Sequence, residues 1–323
     1  MILFISDPRD DYQDSVFYAF RKTYGDEVVT FPRKPGFYEP EDRKEHFRNS
    51  YYNFKDCNIS IEDIIGAKIK AVFIISSGYP IHDQAKEILE KILAKNPKSW
   101  PLIVIDGADQ SGFQHNAEME NYPCKYDLYF KREMLDFEVY DPRIKPLPFS
   151  IIPEKFPTRR PVDKDFPVFF RGFTTAPDRP FFAKDLGLSF PGSIIDCNWH
   201  APVHMQDREE YFGLIDRSKI NLNIIGTGYD CIRLWEVLGC GGFVMSQKMP
   251  QIVEPPFEDG KHLVYFSSKK EMIDKMNFYM KNNALREKIA IEGHEFAMKN
   301  HTCFNRMNYI LEEIKKLNFN IGD

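Results

Sequence analysis

Short, unbroken apolar runs recur along this chain, and each ends on small or acidic polar residues. Residues 2–5 (ILFI) end at Ser6-Asp7-Pro8, residues 71–75 (AVFII) at Ser76-Ser77-Gly78, and residues 102–105 (LIVI) at Asp106-Gly107-Ala108-Asp109. An apolar run with no polar alternation is the mark of a strand buried on both faces. Helical stretches follow at 15–24 and 83–95, and further strands fit 28–31, 127–130 and 145–149. Strand, helix, strand in repetition predicts a parallel sheet with right-handed crossovers.

The pattern restarts beyond 153–167 (PEKFPTRRPVDKDFP), whose prolines and charges make it the best linker candidate. Strand 168–170 runs into Arg171-Gly172, and strand 220–225 into Gly226-Thr227-Gly228. A helix over 230–238 stops on Gly239-Cys240-Gly241-Gly242, since glycine is the usual helix terminator. Strands at 243–245 and 263–266 follow, then helices at 270–282, 285–299 and 303–317. The 323 residues suit two domains of about 150 each. The expected division is one Rossmann-like domain over 1–155 and a second Rossmann-like domain over 156–302. A C-terminal helix over 303–323 can pack back on the first domain. Two open sheets in tandem place a cleft between their carboxyl ends, where ligands of such sheets bind. The segment 32–58 is polar, aromatic and long for a plain connection, which points to a functional loop.

Composition narrows the class. With 43% hydrophobic and 28% charged residues the chain is globular. The net charge of -5, without a long basic tract, argues against a dedicated nucleic-acid binder. Six cysteines lie at wide, irregular spacing without a C-x-x-C pair, so free thiols in a reducing compartment are expected. The start, MILFIS, has no charged n-region, and no apolar run reaches the about 18 residues of a spanning helix. A cytoplasmic protein is the expectation.

The most informative segment is 218–246, SKINLNIIGTGYDCIRLWEVLGCGGFVMS. A buried strand enters a small glycine-bearing loop, and the loop opens a helix carrying Arg233 and Glu236. Three residues apart, these two share a helix face near its positive end. Such a helix start suits a phosphate. A carboxylate one turn further in can accept hydrogen bonds from two neighbouring hydroxyls, as on a ribose, and an arginine beside it can fork onto a phosphate oxygen. The plainer alternative is a surface ion pair between Arg233 and Glu236, with glycines that merely turn the chain. The apolar neighbours Leu234, Trp235, Val237 and Leu238 favour a partly buried carboxylate that needs partners.

This segment resembles the C-terminal domain of GT-B glycosyltransferases, specifically the spore-maturation-type (CgeB-like) group. The run from Arg233 to Gly242 is similar to that group's R-x-x-E-x-x-x-x-G signature. Phe257-Glu258-Asp259-Gly260-Lys261-His262 is similar to its F-x-D-G-x-E/H turn, and His301-Thr302 with Arg306 to its H-T-x-x-x-R element. The likeness covers roughly 166–315, while the first half matches only as a generic GT-B acceptor domain. The resemblance implies that Glu236 holds the donor ribose. It also implies that an arginine soon after the domain's first strand contacts the diphosphate, with Arg171 and Arg179 as candidates and Arg179 the better match. Gly226 and Gly228 would line the same donor pocket beside Arg233. Many retaining GT-B enzymes carry a second glutamate before the ribose carboxylate, and here Gly226 to Asp230 supplies none. Sugar recognition and stereochemistry therefore do not carry over.

Other residues fit less well. Asp163-Lys164-Asp165 matches a metal-holding D-x-D in form but lies in the linker. GT-B enzymes need no metal for the donor, because basic side chains and a helix terminus can neutralise the leaving diphosphate. Asp7, Asp106 and Asp109 follow buried strands, and Asp106 or Asp109 could serve as the general base toward an acceptor hydroxyl. His82 is a weaker candidate. His200 and His204, near Cys197, have a proline between them that argues against a metal pair. No G-x-S-x-G, Walker loop or G-x-G-x-x-G occurs. The expectation is a metal-independent glycosyltransferase with no cofactor beyond a nucleotide diphosphate sugar as co-substrate. Its acceptor would be a glycan, a lipid-linked or a small molecule. A modified DNA base or a protein as acceptor is the first alternative, and a non-catalytic sugar-nucleotide-binding protein on the same fold the second.

Overall fold

Burial along whole strands turns the apolar runs into two parallel sheets. The computed structural model describes residues 1–7, 14–34, 54–55, 59–76, 82–109, 122–156, 163–174, 176–197 and 208–322. They form two units, Met1–Pro148 with Cys303–Asp323, and Phe149–Thr302.

In the first unit the strands are β1 (Ile2–Ser6), β2 (Val28–Phe31), β3 (Ala71–Ser76), β4 (Leu102–Asp106), β5 (Leu128–Lys131) and β6 (Ile144–Pro146). They pair in parallel in the order β2-β1-β3-β4-β5-β6. The order reverses direction between β1 and β3. Helices α1 (Asp14–Tyr24), α2 (Ile61–Gly66) and α3 (His82–Lys95) make the crossovers. One sheet face packs Leu3, Val72, Ile74 and Val104 against Ile88, Leu89 and Ile92 of α3. The other face is aromatic: Phe4 stacks on Phe73 at 4.5 Å between centroids and meets Phe17 and Phe20 of α1 edge-on. Ser60 caps α2 and Asp63 bonds back to the Ser60 backbone N–H, a capping box.

The second unit pairs β7 (Phe166–Gly172), β8 (Ile194–Cys197), β9 (Ser218–Asn223), β10 (Val244–Gln247) and β11 (Val264–Phe266) in the parallel order β11-β10-β9-β7-β8. Its helices are α4 (Asp178–Ala183), α5 (Leu186–Ser189), α6 (Arg208–Asp216), α7 (Ile232–Cys240), α8 (Lys269–Lys281) and α9 (Asn283–Asn300). The order reverses between β7 and β9, so the switch point of this sheet lies at the ends of those two strands. The last helix, α10 (Cys303–Lys316), belongs to the first unit, where Phe304 meets Tyr18 and Tyr309 meets Phe130.

Several expectations move. Residues 153–156 of the linker candidate are part of the second unit: Phe156 packs against Phe212 at 5.1 Å, and its ring fills the space where a Cβ on Gly239 would stand. Gly239 is therefore inside α7 and does not end it. The stop is Gly241, in the left-handed region at φ 75, with the Gly241 and Gly242 N–H groups returning to the Leu238 and Val237 carbonyls. The start shifts as well. Asp230 lies ahead of the helix, where its carboxylate accepts from the Phe149 N–H at 2.6 Å and the Trp235 Nε1–H at 2.7 Å. Strand β8 and helix α6 were not anticipated. Among the described residues five cysteines are free and no helix is long and apolar enough to cross a membrane.

Candidate functional site

At the switch point of the second sheet, β7 delivers Arg171 and Gly172, the loop after β9 delivers Gly226, α4 delivers Arg179, and α7 delivers Arg233. Two of these arginines sit side by side and nearly out of water: Arg233 is 5% exposed and Arg179 9%. Glycine makes room for both. A Cβ on Gly226 would come within 2.6 Å of Arg179 Nη2, and one on Gly172 within 2.9 Å of Arg233 Nη2. These glycines matter for close approach, not for turning.

The two guanidiniums are held differently. Arg179 donates from Nε to the Ile225 carbonyl at 3.1 Å, from Nη1 to the Phe173 carbonyl at 3.1 Å, and from Nη2 to Cys231 Sγ at 3.5 Å. Arg233 donates from Nη2 to the Arg171 carbonyl and lies over the Phe170 ring, 4.7 Å from its centroid. Its Nε and Nη1 are buried without a hydrogen-bond partner among the described residues. No carboxylate of the described residues pairs with either arginine, whereas Arg171 lies 3.4 Å from Asp196. Burial, and then the like charge of Arg233, lower the proton affinity of Arg179. An uncompensated cation pair in a protected site is costly unless an anion completes it.

Around the pair, Gln247 accepts the Ile225 N–H at 3.2 Å and donates to Asp178 at 2.7 Å, fixing the start of α4 to the end of β9. Cys231 is the N-cap of α7, and no side chain caps that first turn. Burial raises the Cys231 thiol pKa, against the pull of Arg233 and Arg179. One turn beyond Arg233, Glu236 is partly exposed and accepts from the Tyr211 hydroxyl of α6 at 3.0 Å. Arg233 and Glu236 do not form an ion pair with each other. Gly228 supplies its carbonyl to the Gly226 N–H at 3.1 Å, which closes the small loop.

The three sequence motifs converge behind α7. Trp235, Phe257, His262, Phe296 and His301 form one cluster, with His262 stacked on Phe296 at 3.9 Å and Phe257 tilted against His301 at 4.7 Å. Burial, then the charge of Lys261, lower the His262 pKa. Gly293 allows α9 to approach, since a Cβ there would stand 2.0 Å from the His262 carbonyl oxygen. The F-x-D-G turn and the His-Thr element thus brace the helix that carries Arg233 and Glu236.

The acceptor-side candidates fare otherwise. Asp106 is 1% exposed, and its carboxylate accepts from the Ala108 N–H at 2.9 Å, Tyr129 at 2.7 Å and Lys131 at 3.1 Å. Those bonds tie it to the ends of β4 and β5. Asp109 pairs with the buried Arg132 and keeps part of its carboxylate in solvent. Asp7 is buried. Asp165 pairs with Arg217 at 2.6 Å and Lys164 donates to the Asp216 carbonyl, so this stretch is an ordinary surface ion-pair region. His200 and His204 lie outside the described residues, as does the His82 side chain and most of 32–58. Among the described residues no group of three His, Cys, Asp or Glu side chains could hold a metal. Sequence reasoning missed Tyr211, Asp178 and Gln247. Only Asp178 had a visible cue, as an acidic residue opening the segment that carries Arg179.

Comparison with known proteins gives the fold a name. The chain is similar to HepE (Alr3699) of Anabaena in complex with UDP-glucose, at 10% identity over 98% of this chain and 99% of that one, with a TM-score of 0.60. It is similar to the lipopolysaccharide outer core galactosyltransferase WaaB in its apo form, at 9% identity, 98% and 99% coverage and a TM-score of 0.57. It is also similar to sucrose-phosphate synthase of Thermosynechococcus elongatus, at 8% identity, 98% and 99% coverage and a TM-score of 0.59. No curated protein matches in sequence. Residues 182–312 match a family model described as glycosyl transferase-like (Glyco_trans_1_2), a span that includes Arg233 and Glu236. The chain is thus an α/β protein with two parallel Rossmann-like sheets in the GT-B architecture, with its arginine pair at the switch point of the second sheet.

Proposed function

We propose that this protein is a glycosyltransferase that takes a sugar from a nucleotide diphosphate sugar and passes it to an acceptor hydroxyl or amine. One observation carries the reading: Arg179 and Arg233 are buried together without a counter-charge among the described residues, and Arg233 has two N–H donors unused. A diphosphate supplies both the charge and the acceptors. Arg233, with its free donors, is the principal phosphate contact, and Arg179, already bonded to two carbonyls and a thiol, supplies field more than hydrogen bonds. Arg171, tied toward Asp196, is a lesser contributor. In this reading Glu236 takes the ribose through its open oxygen. Gly226 leaves the room in which the Arg179 guanidinium sits beside the diphosphate.

As the bond from sugar to phosphate breaks, negative charge grows on the leaving diphosphate. Fixed cations in a site of low polarity stabilise that charge without reorganisation, and no metal is needed for it. The spore-maturation-type resemblance supports the ribose role of Glu236 and a diphosphate role for Arg179. On the acceptor side Asp109 is the carboxylate that stays partly open. HepE is solved with UDP-glucose, which makes UDP and UDP-glucose the first probes. The test is a panel of UDP, ADP, GDP and TDP sugars scored for thermal shift and donor hydrolysis. At least one donor should raise the melting temperature and be hydrolysed. Arg233→Ala should weaken the diphosphate more than the nucleoside, by about 1.5–3 kcal/mol for a lost charge-assisted contact, with Arg179→Ala costing less. Equal weakening of both ligands, or no response to any donor, contradicts the reading.

A further inference from the structure

Glu236 has two carboxylate oxygens, and the protein has already claimed one of them. The Tyr211 hydroxyl donates to Oε2 at 3.0 Å, while Oε1 has no hydrogen-bond partner among the described residues. Tyr211 comes from a different element, α6, and its ring is fixed there. It meets Phe169 of β7 edge-on at 5.7 Å and lies against Phe212 at 5.9 Å. The phenol therefore approaches Glu236 from a set direction. Without it, the terminal torsion of a glutamate is broad and nearly two-fold, so its oxygens would exchange freely. With it, the oxygens are unequal.

Resting on the donor reading above, we propose that Tyr211 is a positioning residue that makes recognition of the donor ribose asymmetric. Oε2 is occupied by the phenol and Oε1 is presented to the sugar. Two neighbouring hydroxyls cannot then be held alike. One meets an acceptor oxygen with both lone pairs available, and the other meets an oxygen already shared. The first carries most of the ribose discrimination. The half-buried phenol stays protonated, since desolvation and then the Glu236 charge raise its pKa well above the ordinary value. It therefore acts as a donor throughout the working pH range.

The test titrates UDP (or ADP or GDP, whichever the donor panel selects) and its 2′-deoxy and 3′-deoxy forms into wild type and Tyr211→Phe by calorimetry. In the wild type, loss of one hydroxyl should weaken binding about tenfold, the worth of a single hydrogen bond to a charged group. Loss of the other should cost about threefold or less, because its acceptor is shared. In Tyr211→Phe the parent nucleotide should bind about three- to tenfold more weakly, and the two deoxy penalties should become equal within about twofold, as the freed carboxylate rotates. Equal penalties in the wild type overturn the proposal without any variant. So does a Tyr211→Phe protein that weakens all three ligands by one common factor, which is what a structural role would give. Glu236→Gln separates the two levels. If it leaves nucleotide affinity untouched, the donor reading itself fails; if it weakens binding while the deoxy penalties are equal, only the role of Tyr211 fails.

Discussion

The carboxyl ends of the two sheets bury charge in opposite ways. In the first unit every described buried cation at that edge has an acidic partner: Lys34 with Asp14 at 2.5 Å, Lys131 with Asp106 at 3.1 Å, and Arg132 with Asp109 and Glu133. In the second unit Arg179 and Arg233 have carbonyls, a thiol and each other. A neutralised cluster holds strand ends and loops in place and asks nothing of solution. A cluster of one sign carries an uncompensated cost unless an anion completes it, which is the ligand reading proposed above.

The largest effect should come from breaking a pair in the first unit. Lys131→Met leaves Asp106 buried and uncompensated, and should cost about 3–5 kcal/mol in urea unfolding. The Lys131→Met/Asp106→Leu double variant should recover only part of that loss, because the charges go together but the Ala108 N–H and the Tyr129 hydroxyl lose their acceptor. The mirror experiment in the second unit should have the other sign. Arg233→Met removes a cation that no carboxylate balances, so stability without ligand should be unchanged or higher. A loss there as large as at Lys131 would erase the contrast between the two edges.

A smaller effect sharpens the contrast through shape alone. Gly226→Ala places a methyl where Arg179 Nη2 now lies. Overpacking of this kind typically costs about 1–3 kcal/mol. Here the guanidinium should move, so diphosphate affinity should fall while affinity for the nucleoside holds in a paired titration. The smallest effect concerns the aromatic brace behind α7. His262 has a folded pKa below its ordinary 6.5, chiefly through burial. The unfolded chain thus binds its proton first, and the stability contributed by neutral His262 is present above pH 6.5 and lost as pH falls through the folded value. His262→Phe should flatten that acid-side decline in melting temperature, and an unchanged slope would place the titrating group elsewhere.

Much of this architecture was legible because parallel strands buried on both faces are written as solid apolar runs. Residues 71–75 and 102–105 leave few other readings. Strand β8 escaped because Ile194-Ile195-Asp196-Cys197 is short, half-buried and interrupted by an aspartate, and α6 because REEYFGLID has little one-sided pattern. Helix α7 was placed two residues early, since Asp230 looks like a helix opener until its long-range bonds to Phe149 and Trp235 are known. The site divides along the same line. Arg233 and Glu236 stood out through spacing and setting. That Arg179 and Arg233 share one unpaired pocket depends on strand order, and Tyr211 depends on packing between helices. At Asp106 the sequence is ambiguous, because an acidic residue at a strand end suits a base and a buried ion pair equally well.

The central claim is that the arginine pair is finished by a diphosphate, and calorimetry of UDP against uridine, in wild type and Arg233→Met, tests it most directly. The wild type should bind UDP at least about 1.5–3 kcal/mol more tightly than uridine, and Arg233→Met should remove most of that difference while leaving uridine binding as it was. If UDP and uridine bind the wild type alike, or if Arg233→Met keeps the full preference for UDP, the anion site is not where the structure leaves its two cations unpaired.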